Sequence, residues 1–298
     1  RRQPEPAANR AGCPKRVADA AGGAETNLKL FDNAKATINL TGDFTSDAGG
    51  TGIAMENDEQ GSDTSLTIKA NNITLGTTDL DTADRKAGLY LLAYENDGDN
   101  NLKVNLNANN NLNIGGFSCG IQTFGSPSIK LQAKTINITA DSDDNGIGIF
   151  LNSYNTTKTT TLTANADNLT ISGANYGIFI KDRAQADLTA NDTLNITSDN
   201  WSMVNYNSTI NAQAAKTINI TGTAWTSGGN IYIGKADDTL QTIINGDLAS
   251  KANGYIKVYV NNVNSSLTGN ITDEQWNEVN TTSTNGIHLQ LDNGSTWN

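Results

Sequence analysis

A short pattern of alternating apolar and polar positions returns along most of this chain. It appears as Thr37-Ile38-Asn39-Leu40-Thr41, Asn72-Ile73-Thr74-Leu75-Gly76, Asn111-Leu112-Asn113-Ile114-Gly115, Thr135-Ile136-Asn137-Ile138-Thr139, Asn168-Leu169-Thr170-Ile171-Ser172, Thr193-Leu194-Asn195-Ile196-Thr197 and Thr217-Ile218-Asn219-Ile220-Thr221. A period of two is that of a half-buried strand. Several residues before each lies a second apolar-x-apolar triplet: Leu28-Lys29-Leu30, Leu66-Thr67-Ile68, Leu102-Lys103-Val104, Ile129-Lys130-Leu131, Leu162-Thr163-Ala164, Leu188-Thr189-Ala190 and Ile210-Asn211-Ala212. A third kind follows a variable loop and commonly opens with Gly: Gly52-Ile53, Gly88-Leu89, Gly120-Ile121, Gly146-Ile147, Gly177-Ile178 and Gly286-Ile287, with weaker versions at Met203-Val204, Ile231-Tyr232-Ile233 and Ile256-Lys257-Val258.

Three short strands therefore recur about nine times. Gly52 to Gly286 is 234 residues over eight steps. A propeller blade needs four antiparallel strands, whereas three strands of three to five residues per step suit a parallel coil stacked on its neighbours. The pattern predicts an all-β chain: a right-handed parallel β-helix with three short strands per coil and about nine coils, filling residues 27–298. Variable loops of Asp, Gly, Ser and Thr are then insertions at one corner. Asp273-Glu274-Gln275-Trp276-Asn277-Glu278-Val279 reads as a brief helical turn near the end.

Residues 1–26, with Pro4, Pro6 and Pro14, follow none of this and read as a disordered lead, or one not native to the protein. Composition agrees with a thin, repetitive core. Hydrophobic residues make up 36% of the chain, mean hydropathy is -0.45, and Asn is about one residue in seven. Net charge is -11, but five basic groups (Arg1, Arg2, Arg10, Lys15, Arg16) crowd the lead. Beyond it, fifteen basic against twenty-eight acidic groups leave -13. An acidic body repels nucleic acid and anionic membrane surfaces. Cys13 and Cys119 have no spacing that suggests a metal site or a disulfide framework. No apolar run has the length of a membrane span or a signal core, and Ala11-Gly12-Cys13 lacks the hydrophobic stretch of a lipoprotein signal.

The run Gly286-Ile287-His288-Leu289-Gln290-Leu291-Asp292-Asn293-Gly294-Ser295-Thr296-Trp297-Asn298 resembles the motif at which many autotransporter passenger domains begin their C-terminal folding segment. The Asn/Thr/Gly-rich repeats look like such passengers generally, including adhesins of the pertactin type. The resemblance implies export through the outer membrane and display at a bacterial cell surface or release from it. In that family further coils and a membrane barrel follow. The chain stops at that point, so the resemblance implies a fragment whose only membrane attachment is through that barrel.

Catalytic constellations were sought against this background. Gly125-Ser126-Pro127 lacks the preceding Gly-Asp-Ser of a serine protease, and the single histidine, His288, reads as an outward repeat position. Polysaccharide lyases and hydrolases on this fold use carboxylates with basic groups or calcium. The carboxylates Asp79, Asp81, Asp84, Glu95, Asp97, Asp99, Asp237 and Asp238 all fall in predicted loops, with no basic residue repeating beside them. The sequence is read as non-enzymatic, with no cofactor. One exception concerns calcium: Asp141, Asp143 and Asn145 reproduce the opening of a calcium loop, although its twelfth position is Asn152 and a strand follows where a helix should.

Aromatic positions suggest binding instead. If Leu89/Leu91, Ile178/Ile180 and Ile231/Ile233 point inward, then Tyr90, Phe179 and Tyr232 point outward on one face, extended by Tyr94, Tyr255 and Tyr259. Such a strip can stack on sugar rings or on a protein. Asn39, Thr74, Asn113, Asn137, Thr170, Asn195 and Asn219 should form an outward polar row, too mixed for ice binding. The many Asn-x-Thr sequons are generated by the repeat itself. The expectation is an adhesin-like rod that binds a host glycan, a surface or matrix protein, or a second copy of itself. A carbohydrate-active enzyme and a passive spacer are the alternatives.

Overall fold

A computed structural model describes residues 28–46, 51–58, 61–76, 87–93, 101–141, 145–153, 158–237, 239–274 and 286–298. The chain is all-β, and among the described residues there is no helix. Its strands form two long sheets in which all the recorded strand pairs are parallel, the arrangement of a β-helix or solenoid.

The first sheet has ten strands: Leu28–Phe31, Ile53–Asn57, Ala87–Ala93, Cys119–Phe124, Ile147–Asn152, Tyr176–Lys181, Trp201–Tyr206, Ala224–Ser227, Leu248–Lys251 and Ile271–Glu274. The second has sixteen. Its long members Asp63–Leu75 and Thr161–Gly173 each join two of the triplet types foreseen in the sequence, with register shifts at Ala70/Asn72 and Ala166/Asn168. At each shift the partner strand, Asn101–Gly116 or Gln185–Thr197, carries the one extra residue, an irregularity that bends a strand without ending it.

Parallel register turns the repeat into ladders. Leu28, Ile53, Leu89, Ile121, Ile149, Ile178, Met203, Ala224, Leu248 and Ile271 follow one another across the first sheet. In the second, Ile38, Ile68, Leu106, Leu131, Ala164, Leu188, Ala212, Ile233, Val258 and Leu289 do the same. Most of these side chains are buried in one continuous core between the sheets. Burial of each Leu or Ile contributes roughly 1.5–3 kcal/mol.

The Gly that opens many first-sheet strands has a packing cause. Gly120, Gly148 and Gly177 sit where a Cβ would meet the next strand's carbonyl at 2.6 Å and an Ile Cγ2 at 2.7–3.0 Å. The second sheet's Ile138, Ile171 and Ile196 fill that space.

Several sequence assignments are corrected by the pairing. Leu28-Lys29-Leu30 aligns with Ile53-Ala54-Met55 of the first sheet, not with Leu66-Thr67-Ile68, which pairs with Ala36-Thr37-Ile38. Ile231–Ile233, Ile256–Val258 and Gly286–Leu289 stack on Ile210–Ala212 in the second sheet, so the count from Gly52 to Gly286 crosses between sheets. The expected helical turn at Asp273 begins as the strand Ile271–Glu274, and residues 275–285 lie outside the described residues. Cys119, whose spacing suggested no disulfide framework, is buried and disulfide-bonded.

Candidate binding surface

The foreseen aromatic strip divides between the two sheets. Tyr90 and Phe179 do point away from the central core, but their exposures are 0% and 1%. They belong to a second cluster on the outward face of the first sheet. Ring centroids step along it from Tyr90 to Phe124 at 6.2 Å, Phe150 at 5.7 Å, Phe179 at 5.4 Å, Tyr206 at 5.9 Å and Trp225 at 4.7 Å. Phe150 and Phe179 are register partners, while Phe124 and Tyr206 occupy the next outward position along their strands, so rings from two adjacent outward rows bury one another's edges. Burial also raises the Tyr176 hydroxyl above its ordinary pKa. Neither Tyr90 nor Phe179 is available to a ligand. Tyr94 lies outside the described residues.

Tyr232, Tyr255 and Tyr259 lie on the second sheet, each half-buried. Strand Asn230–Ile233 pairs with Tyr255–Val260, which pairs with Gly286–Leu291. The register places Tyr232, Lys257 and His288 in one row, with Tyr255 beside them. The Tyr255 ring lies 5.7 Å from Tyr232 and 5.0 Å from His288. Lys257 Nζ sits 4.7 Å from the Tyr259 ring centroid, a cation–π arrangement. Its hydrogen bond with Tyr259 holds its pKa above the ordinary lysine value, assisted by the Tyr259, Tyr255 and Tyr232 hydroxyls.

Lys257 is the member of this surface that sequence reasoning missed, and His288, read there as an outward repeat position, was not joined to the tyrosines. Their signal was available in the alternation: Ile231/Ile233, Ile256/Val258 and Ile287/Leu289 place Tyr232, Lys257 and His288 at the same outward position. The result is a patch of three tyrosines and an imidazole around one ammonium. Chemically it offers flat apolar faces beside hydroxyl and ammonium donors.

Polar rows occupy the outward face of the second sheet in earlier strands. Asn137 donates to Asn113 at 2.9 Å and Asn219 to Asn195 at 2.8 Å, while Asn195 reaches Thr170 at 3.4 Å. Thr74 joins the same row, but Asn39 aligns with Lys69 and stands outside it. Nearby, a cavity of about 330 Å³ is lined by Asn107, Asn109, Gln132, Lys134, Asp167 and Asn191, with others. Asn191 donates to Asp167 at 3.0 Å, and Lys134 Nζ to Asn110 at 3.3 Å.

The remaining chemical candidates are dispersed. Ser126 Oγ donates to the Lys158 carbonyl at 3.2 Å, and His288 lies tilted against Tyr255. Asp237 accepts from the Thr239 hydroxyl at 2.7 Å and from its backbone N–H at 3.0 Å, and pairs with Lys235 at 3.1 Å. Those contacts lower its pKa to about 2, led by the Thr239 hydroxyl. Asp79, Asp81, Asp84, Glu95, Asp97, Asp99 and Asp238 lie outside the described residues, as does Asp143 of the calcium-like loop. Asp141 and Asn145 are exposed. Among the described residues, no group of three or more His, Cys, Asp or Glu could hold a metal ion, and no helix is long and apolar enough to cross a membrane. No family model matches the chain, and neither a curated protein nor a solved structure does.

Proposed function

We propose that this chain is the passenger of an exported bacterial protein, a right-handed parallel β-helix of about nine three-stranded coils that displays a binding face for glycans. The observation that carries the reading is the run of tilted rings Tyr232–Tyr255–His288 with Lys257 beside Tyr259. A pyranose ring has one face of C–H bonds and a rim of hydroxyls. Half-exposed tyrosines meet the C–H face, while the tyrosine hydroxyls, Lys257 and His288 reach the rim. A cation kept charged by its neighbours favours an acidic sugar over a neutral one.

The second sheet suits such a role because its outward side chains are held at fixed spacing by ladders beneath them. A ligand meeting a rigid row loses little to ordering the protein. The autotransporter-like C-terminal run supplies the export route in this proposal, with display at the cell surface or release from it.

The test is a broad glycan array probed with the purified full chain, with calcium and with chelator, beside a Tyr232/Tyr255/Lys257 triple-alanine variant. Saturable binding that the triple variant loses supports the proposal, and dependence on calcium adds the Asp141 loop to the site. Absence of glycan binding, or equal binding by both proteins, overturns it. Concentration-dependent self-association would then point to a second copy as the partner.

A further inference from the structure

Four successive turns of the chain place a buried alanine at one corner of the second sheet: Ala108, Ala133, Ala166 and Ala190. A side chain that small lets the backbone bend inward, and alternation sends the residues on either side of it outward. Before the alanines stand Asn107, Gln132, Asn165 and Thr189, which are direct register partners from strand to strand. One residue after them come Asn109, Lys134, Asp167 and Asn191. The two rows are the walls of the trough of about 330 Å³, and Ala108, Ala133 and Ala166 line its floor. That volume lies within the roughly 300–1,000 Å³ of small-molecule sites.

Hydrogen bonding separates the two walls. Elsewhere on this sheet outward amides bond to one another, as Asn137 does to Asn113 and Asn219 to Asn195. The second wall is tied in the same way: Asn109 donates to Asn71 at 2.9 Å, Asn191 to Asp167 at 3.0 Å and Lys134 Nζ to Asn110 at 3.3 Å. The first wall is not. Among the described residues, the side chains of Asn107, Gln132, Asn165 and Thr189 have no hydrogen-bond partner. We infer that this trough is a second binding site, for a neutral linear oligosaccharide lying along the axis of the stack.

The chemistry of the walls selects the ligand. A sugar hydroxyl both donates and accepts, and so do a carboxamide and the Thr189 hydroxyl. Register partners stand about 4.8 Å apart, so the first wall runs roughly 14 Å along the stack. A pyranose linked through opposite ends of its ring advances by about one strand spacing, so successive rings meet successive side chains. An extended peptide repeats its same-side groups only every ~6.6 Å and falls out of step. Lys134 and Asp167 are the charged members of the lining and offset one another, which favours a neutral ligand. Asp167 is also the single carboxylate there, whereas glycoside hydrolysis takes a pair, so the trough binds without cleaving. The tyrosine patch begins two strands further along the sheet, at Asn230–Ile233, and its ammonium suits an acidic sugar. The two sites therefore stand or fall separately.

The experiment uses the full chain carrying the Tyr232/Tyr255/Lys257 triple-alanine change, so that the patch contributes nothing. Neutral β-1,4-linked hexasaccharides of glucose, mannose, xylose and N-acetylglucosamine are titrated into it by isothermal calorimetry, beside the four single sugars. We expect at least one hexasaccharide to bind, and its single sugar to bind about tenfold more weakly or less. Adding Gln132→Ala and Asn165→Ala, both at exposed positions, should weaken the hexasaccharide about tenfold with circular dichroism and melting unchanged. In the unmodified chain that hexasaccharide should shift the side-chain amide NMR signals of Gln132 and Asn165 and leave that of Asn219 in place, a readout that depends on no variant. Binding of no hexasaccharide, equal binding of the single sugar, indifference to the Gln132/Asn165 change, or unshifted Gln132 and Asn165 signals would each overturn the site. Each of those outcomes leaves the tyrosine patch to its own test, which is read on the unmodified chain.

Discussion

Asn205 donates from Nδ2 to the carbonyl of Asn230 at 2.8 Å, joining the end of a first-sheet strand to the start of a second-sheet strand 25 residues later. The same amide donates to Ser208 at 3.0 Å, and the Ser208 N–H returns a bond to Asn205 Oδ1 at 3.0 Å. Asn205 is fully buried and occupies a register position held by Ile180 in the preceding strand. Three bonds at one side chain outweigh the cost of placing an amide there. Replacing it leaves buried backbone groups without partners, so Asn205→Ala should lower stability by about 2–4 kcal/mol. Urea unfolding of both proteins checks this, and a variant within 0.5 kcal/mol would refute the role given to this side chain.

Ile149 lies between Ile121 and Ile178 in the first-sheet ladder, with no exposed surface. Ile149→Asp places a charge there with no described group to pair it, and Ile180→Asp does the same one strand on. Each should cost more than about 4 kcal/mol and abolish cooperative unfolding. Variants that melt like the parent would mean that the inward face has been assigned wrongly.

Gly148→Ala tests the tight corner between sheets. The new methyl would lie 2.6 Å from the Gly177 carbonyl and 2.9 Å from Ile171 Cγ2. One or the other must shift, at a cost of about 1–3 kcal/mol. Differential scanning calorimetry should show the loss, and pairing the change with Ile171→Ala, which removes the Cγ2 methyl, should cost less than the sum of the two single changes.

Asp237 has a sign that can be checked directly. Its carboxyl is held at about 2, below the ordinary 3.8, so the stabilising contribution is present above pH 3.8 and is lost as pH falls toward 2. Carboxyl chemical shifts followed by NMR should give a midpoint near 2. Thr239→Val removes the leading hydrogen bond and should move that midpoint up toward 3.8, while an unchanged midpoint would assign the shift to the retained Thr239 backbone N–H and Lys235 instead.

Lys257 titrates above its ordinary value, so its ammonium is fully charged throughout the physiological range. Lys257→Gln should weaken binding of an acidic glycan about tenfold and leave binding of a neutral one nearly unchanged. Equal losses for both would assign Lys257 a packing role rather than charge recognition.

The alternation of Ile and Leu with Asn and Thr made the strands, their parallel stacking and the inward positions legible in the sequence. It could not tell one triplet from another. Leu28-Lys29-Leu30 and Leu66-Thr67-Ile68 look alike because apolar-x-apolar satisfies any buried strand face, yet they occupy different sheets. The same ambiguity put Tyr232 beside Tyr90. Burial of Tyr90 and Phe179 was equally illegible, since alternation says which way a side chain points and nothing about what lies beyond it. By contrast Lys257 and His288 were within reach, because register along Ile231/Ile233, Ile256/Val258 and Ile287/Leu289 follows from sequence once those triplets are stacked together.

Stacking also sets how such a chain reaches its fold. Asn137 meets Asn113 and Asn219 meets Asn195 across 24 residues in each case, and the ladders repeat that local reach from strand to strand. The entropy of closing each loop depends on that short interval and hardly at all on total length. Every added turn finds its template in the one before it, so the search for native contacts does not widen as the rod grows. A polypeptide threaded slowly through a narrow exit could therefore fold as it emerges, one turn docking on another, with the assembly itself drawing the rest of the chain forward.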